Sequence, residues 1–106
     1  MSITSDLIRG HTETIILAQL IRQDSYGYQI NKSIQVATNN EYELKEATLY
    51  SAFRRLESAG MIESYWGDET TGARRRYYKI TPLGQAMYEK NKNDWEKTKR
   101  LIDSLI

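Results

Sequence analysis

Leu49, Ala52, Phe53 and Leu56 stand at i, i+3, i+4 and i+7, a spacing that lines one face of an α-helix. Gly60 follows where a left-handed C-terminal cap is usual, so KEATLYSAFRRLESAG, Lys45–Gly60, reads as a helix with its own stop signal. The period then changes at once. MIESYWGDETTGARRRYYKIT, Met61–Thr81, is rich in aromatic and β-branched residues on both sides of a turn region between Gly67 and Gly72, which predicts a β-hairpin with a loop of several residues. A helix that hands its chain directly to a hairpin, with no linker, limits what the remaining residues can build.

Two more helices are predicted upstream. Ile15, Ile16, Leu17, Leu20 and Ile21 form a wide helical stripe with Arg9, Glu13, Gln19, Arg22 and Gln23 off it, giving helix one over residues 6–23. Asp24-Ser25 punctuates the chain. Tyr26, Ile30, Ile34 and Ala37 then recur at helical intervals and give helix two over 26–38, closed before Asn39-Asn40. In EYEL, Tyr42 and Leu44 alternate as in a brief extended piece. After Thr81, Pro82 suits a first helical turn, and Leu83, Met87, Trp95, Thr98, Leu101, Ile102 and Leu105 mark helix four to the end of the chain. Some 24 residues at ~1.5 Å each span ~36 Å, so this helix overhangs a core built from three shorter ones. The expected fold is mainly α with a small β-hairpin. Three helices followed by a hairpin is the order of a winged helix-turn-helix, whose third helix enters the major groove while the hairpin lies along the backbone. That unit covers residues 1–81, and the extra C-terminal helix covers 82–106.

A chain of 106 residues with 40% apolar content is the size of one domain. It has no cysteine, hence neither disulfides nor thiolate metal sites. No leader pattern opens it and no segment reaches the ~18 apolar residues of a membrane span, so a cytoplasmic protein is expected. The catalytic inventory is thin. His11 is the only histidine, no P-loop, GxGxxG, HExxH or GxSxG pattern occurs, and the acidic residues are spread over charged helix faces. We expect no enzyme, cofactor or metal site.

Net charge is only +1, but it is unevenly distributed: Arg74, Arg75, Arg76 and Lys79 form the one basic cluster without an acid inside it. Such a patch raises the local potential of a nearly neutral protein. In a strand, Arg74 and Arg76 share a face with Tyr78 and Ile80, while Arg75, Tyr77 and Lys79 share the other. One face turns to the body of the domain, although long arginine stems can snorkel outward from it. Asp68 and Glu69 at the hairpin tip would be repelled by phosphate, which points to the second strand as the binding element. On helix three, the face opposite the apolar stripe carries Ala47, Ser51, Arg54 and Ser58, flanked by Thr48, Tyr50 and Arg55. Small residues beside a few polar and cationic ones let a helix sit deep in a groove and reach bases and phosphates. A protein-interaction module without DNA binding is the alternative, which has no need of phosphate-matching charge.

These residues resemble the PadR family of bacterial transcriptional regulators over nearly the whole chain. LIRGHTETIILAQL is similar to its first helix, YGYQI to its second, ATLYSAFRRLESAGMIE to its recognition helix and exit, and GARRRYYKITPLG to its wing. The family often has glycine before the threonine-leucine-tyrosine and proline after it, where this chain has Ala47 and Ser51; neither change removes a contact group, and what they leave open is which DNA sequence is read. The resemblance implies that Thr48 and Tyr50 approach phosphates or bases and that Arg75 with its neighbours meets the backbone of a double-stranded operator. A single short C-terminal helix resembles the small subfamily that includes multidrug-sensing repressors, where it is a dimerisation arm. Leu7, Met87, Trp95, Thr98, Leu101, Ile102 and Leu105 would then form the seam of a homodimer. Trp95, with Asn91 and Thr98 a turn away, could meet its own copy there and stack a flat aromatic effector, or else pack the dimer core. Lys92 and Lys99 would disfavour cationic ligands.

Overall fold

The computed structural model describes residues 7–67 and 74–106. Asp68 and Glu69 lie outside them, and so does the expectation placed on the hairpin tip. The helix expected from residue 6 tightens into a 3-10 turn over Arg9–His11 before α1, Thr12–Arg22. Gly10 is a poor helix former, and the Thr12 hydroxyl donates to the Arg9 carbonyl at 2.9 Å, closing that turn. Helix α2 runs over Gly27–Ala37 and α3 over Glu46–Ser58. Strands β1, Ile62–Trp66, and β2, Arg76–Ile80, pair antiparallel with Ile62 opposite Ile80 and Tyr65 opposite Tyr77. Helix α4 spans Pro82–Leu105.

One core joins all of these elements. Ile16, Leu17 and Leu20 of α1, Ile30 and Ile34 of α2, and Leu49, Ala52, Phe53 and Leu56 of α3 close over Ile62, Tyr78 and Ile80 of the hairpin. The hairpin is therefore structural as well as peripheral. The expected stripes are trimmed at their edges, since Ile21 and Ala37 are exposed. EYEL forms no strand. Its last residue, Leu44, is buried, and the Asn31 side chain takes the place of a partner strand, donating to the Leu44 carbonyl and accepting from its N–H, both at 2.8 Å.

Local punctuation works as the residue types predict. Asn39 and Asn40 both take positive φ, 51° and 63°, to turn the chain out of α2, and Gly60 at +75° ends α3. Thr81 caps α4 by accepting from the Gly84 N–H at 3.1 Å, and its hydroxyl donates to the Gly60 carbonyl at 2.7 Å. The stop of α3 and the start of α4 are thereby joined. A bridge absent from the sequence reading adds a third element to the sheet: Ser25 donates to the Tyr78 carbonyl at 3.2 Å, and the Tyr78 N–H donates back at 2.8 Å.

Helix α4 begins inside the core. Gly84 is buried against the Met61 carbonyl, and Met87 and Tyr88 pack on the core cluster. Beyond Asn91 every residue is exposed. The overhang makes the radius of gyration 14.9 Å, against ~13 Å for a compact chain of about 100 residues. Among the described residues no helix is long and apolar enough to cross a membrane.

A Cβ at Gly84 would overlap the Met61 carbonyl, whereas one at Gly10 would meet nothing within 4 Å. Gly84→Ala should therefore cost about 1–3 kcal/mol by overpacking, more than the ~1 kcal/mol that alanine gains in a helix. Urea midpoints should fall for Gly84→Ala and hold or rise for Gly10→Ala; equal midpoints would contradict this packing.

Candidate nucleic-acid interface

The outer face of α3 is built as its heptad phase requires. With Leu49, Ala52, Phe53 and Leu56 buried, Ala47, Thr48, Arg54, Arg55 and Ser58 are exposed and Ser51 is half-buried. The two arginines differ in their commitments. Arg55 is bound inside the chain, its Nε donating to Glu13 on α1 at 2.8 Å and its Nη1 to the Ser51 hydroxyl at 3.0 Å. Arg54 makes no hydrogen bond or ion pair among the described residues. Tyr50 is exposed on one side but packs edge-on against Phe53 and lies over Gly27, where a Cβ would come within 2.8 Å of its hydroxyl. The glycine between Tyr26 and Tyr28 is thus what lets α2 approach α3.

On the wing, the side with Tyr78 and Ile80 faces the core. Arg76 shares that side and is bound there, to the Ser64 hydroxyl at 2.8 Å and to Glu57 of α3 at 3.4 Å; Ser64 itself donates to Glu57 at 2.6 Å. This pair is half exposed, so its value is at most about 1 kcal/mol. Its effect is to fix the angle between wing and helix. Arg75 and Arg74 sit over aromatic rings, with guanidinium carbons 5.0 Å from the Tyr26 centroid and 4.9 Å from that of Trp66. A cation over a ring contributes about 0.5–1 kcal/mol at an exposed site. Lys79 is exposed, opposite Glu63 across the strands.

Tyrosines floor the wing's outer face. Tyr65 stacks on Tyr77 at 5.6 Å, and Tyr77 meets Tyr26 edge-on at 5.2 Å. The Tyr65 hydroxyl donates to Asp24 at 2.6 Å, and that bond, with burial and the charge of Asp24, pushes its pKa up to about 12. Burial also raises the Tyr78 phenol, opposed by nearby Arg76 and Arg54.

The arm residues are placed differently from one another. Leu7, Trp95, Thr98, Leu101, Ile102 and Leu105 are exposed in the single chain, whereas Met87 is half-buried against the chain's own core. Trp95 packs edge-on against His11 with centroids 4.9 Å apart, and remains 45% exposed. Asn91 and Thr98 flank it on the helix. Sequence reasoning missed Glu13, Asp24, Tyr26, Glu57 and Ser64 as the groups that set the arginines and the wing in place. Only Gly27, inside a helical pattern, signalled a close approach locally.

Residues 16–90 match the profile of the Transcriptional regulator PadR-like family. A solved transcriptional regulator from Clostridium thermocellum is 51% identical, superposes with a TM-score of 0.90, and is matched over 99% of each chain. A PadR family transcription regulator from hypervirulent Clostridium difficile is 35% identical with a TM-score of 0.77, over 90% of this chain and 97% of that one. An uncharacterized protein of Lysinibacillus sphaericus shares 46% identity over 101 residues, 95% of this chain and 93% of its own length.

Because the folded pKa of Tyr65 is raised from 10.0 to about 12, the stability its bond contributes is fully present below pH 10 and is lost as pH rises through about 12. The difference in tyrosinate absorbance between wild type and Tyr65→Phe should reveal one phenol ionising near the upper value. Asp24→Ala should bring that phenol back toward the ordinary range. A difference titration centred at the ordinary value in wild type would remove the Asp24 tie.

Proposed function

This chain belongs to the PadR-like family of DNA-binding transcriptional regulators and is not an enzyme; from that premise we propose that it is a homodimeric repressor that binds an inverted-repeat operator. The observation that carries the reading is the division of its arginines. Arg55 and Arg76 are spent on ion pairs that hold α3 to α1 and to the wing. Arg54 is exposed on the recognition helix, while Arg75 sits over the Tyr26 ring at the wing. Thr48, Tyr50, Ser51 and Arg54 face the major groove in this reading, and Arg74, Arg75 and Lys79 follow the phosphate backbone. Two recognition helices then sit about one DNA turn, ~34 Å, apart.

Dimerisation is supported by the arm. Asn91, Trp95, Thr98, Ile102 and Leu105 succeed one another in steps of four, three, four and three, the spacing of a helical seam. Trp95, Leu101, Ile102 and Leu105 are exposed in one chain, and a second copy covers them in the dimer. Trp95 is held from one side by His11. Its open side, with Asn91 and Thr98, would receive a flat neutral or anionic aromatic effector between the two copies, and the bound spacing of the arms would shift the population able to grip the operator.

Each phosphate contact releases counterions, so Arg75→Ala should weaken binding to specific and random duplexes alike and lower the salt slope by about 1. An unchanged slope in the Arg74, Arg75, Arg76 triple alanine variant would remove the wing from the interface.

The arm and its ligand can be tested together in a Trp66→Phe background, where Trp95 is the remaining indole. Sedimentation should give a dimer, and flat neutral aromatics should quench its fluorescence saturably. Adding Leu101→Asp and Ile102→Asp puts charges in the seam, where an unpaired buried ion costs several kcal/mol; the dimer and the saturable quenching should disappear together. An intact dimer would place the interface elsewhere, and absent quenching would leave Trp95 as packing alone.

A further inference from the structure

The recognition helix offers the groove an unusually sparse set of groups. On its outward face the Ala47 side chain can make no hydrogen bond, and of the two arginines Arg55 is bound to Glu13 while Arg54 makes no hydrogen bond or ion pair among the described residues. Arg54 sits at mid-helix, one turn after Ser51, with small side chains on either side along the same face. A long planar fork flanked by short neighbours can reach the floor of the groove without lifting the helix away. The base edge that matches such a fork is guanine, whose O6 and N7 are paired acceptors in the major groove.

Ser51 is prepared in a different way. Its hydroxyl oxygen accepts from Arg55 at 3.0 Å, and Arg55 is held in turn by Glu13 at 2.8 Å. A serine hydroxyl has one proton to donate. With a guanidinium N–H already directed at one lone pair of its oxygen, the group keeps that proton to donate, which suits an acceptor on the neighbouring base pair. Purine N7 and thymine O4 are acceptors of that kind, and the cytosine amino group is not. Glu13 and Arg55 thus hold Ser51 in place, as positioning residues.

Resting on the DNA-binding reading above, we propose that Arg54 reads a guanine in each half-site and that Ser51, oriented by Arg55, donates to a purine N7 or thymine O4 on the adjacent pair. The side chains that choose the operator are then few, and the wing supplies affinity without sequence.

Duplexes selected from a random pool by the wild-type protein provide the test, with each guanine of the half-site replaced in turn by 7-deazaguanine, which lacks N7. One position should lower wild-type affinity, and changing that pair altogether should cost about 5- to 150-fold. Arg54→Ala should bind the guanine and substituted duplexes equally, with random-duplex affinity and salt slope near wild type. Ser51→Ala should lose discrimination at the adjacent pair alone. If Arg54→Ala weakens specific and random duplexes together and drops the slope by about 1, Arg54 is a phosphate contact and the proposal fails. It fails equally if no single 7-deazaguanine affects the wild-type protein, a result independent of any variant's folding. A wild-type protein that binds no duplex at all would overturn the DNA-binding reading itself.

Discussion

Tyr78 fastens the wing to both helices of the helix-turn-helix. Its ring stacks on Phe53 of α3 at a centroid distance of 3.9 Å and an interplanar angle of 15°, while its backbone exchanges two hydrogen bonds with Ser25 at the entrance to α2. A two-stranded hairpin is marginal by itself in water, so strands β1 and β2 depend on this attachment. Because Phe53 and Tyr78 are each at most 5% exposed, the stack also excludes water from the joint. The angle between α3 and the arginines of β2 is consequently set by core packing, which changes little with salt or pH. Arg76, Ser64 and Glu57 repeat the constraint at the surface with weaker, screened bonds.

That joint was half legible in the sequence. Phe53 belongs to an apolar stripe and was assignable to the inside from its neighbours alone, whereas alternation put Tyr78 on one face with Ile80 and left open which face turned inward. Gly60, Thr81 and Pro82 were likewise legible, because caps act within a few residues of the groups they satisfy. The Ser25–Tyr78 bridge, the Asn31 clamp on Leu44 and the Glu13–Arg55 pair join residues 53, 13 and 42 positions apart. Such pairings are decided by how helices stack, and no local pattern records them. The same limit applied to the arginine run. Strand alternation showed that Arg75 and Arg76 point to opposite sides, but only the fold reveals that Glu57 and Ser64 await one and Tyr26 the other.

The fold also reconciles a net charge of +1 with a phosphate-binding surface. Charges separated by more than about 10 Å are largely screened at ordinary ionic strength, so the net charge of the chain says little about one patch. What counts is the local balance after internal pairing. Glu13 and Glu57 neutralise Arg55 and Arg76, and the tie to Tyr65 turns Asp24 toward a phenol on the wing. Three nearby acids are thereby spent on scaffolding, and in the proposed complex Arg75 and Lys79 would meet the backbone. In the proposed complex, affinity would be spread over several weak contacts, whereas choice of sequence would fall to the short list of groups on α3.

Helix α4 links this surface to its own far end without a hinge. Thr81 bonds both Gly60 and Gly84, and Gly84 rests on the carbonyl of Met61, so the first turn of α4 is fixed to the exit of α3 and the start of β1. The helix continues unbroken for 24 residues, ~36 Å at 1.5 Å per residue. Along the way Trp95 touches His11 at the start of α1. A change of tilt where two arms cross in the proposed dimer cannot be absorbed inside such a rod, since no proline or glycine interrupts it after Gly84. With the joint at Gly84 buried as well, the arm and the winged unit would move as one body, and a change of tilt in the proposed dimer would pass directly into the spacing of the two recognition helices.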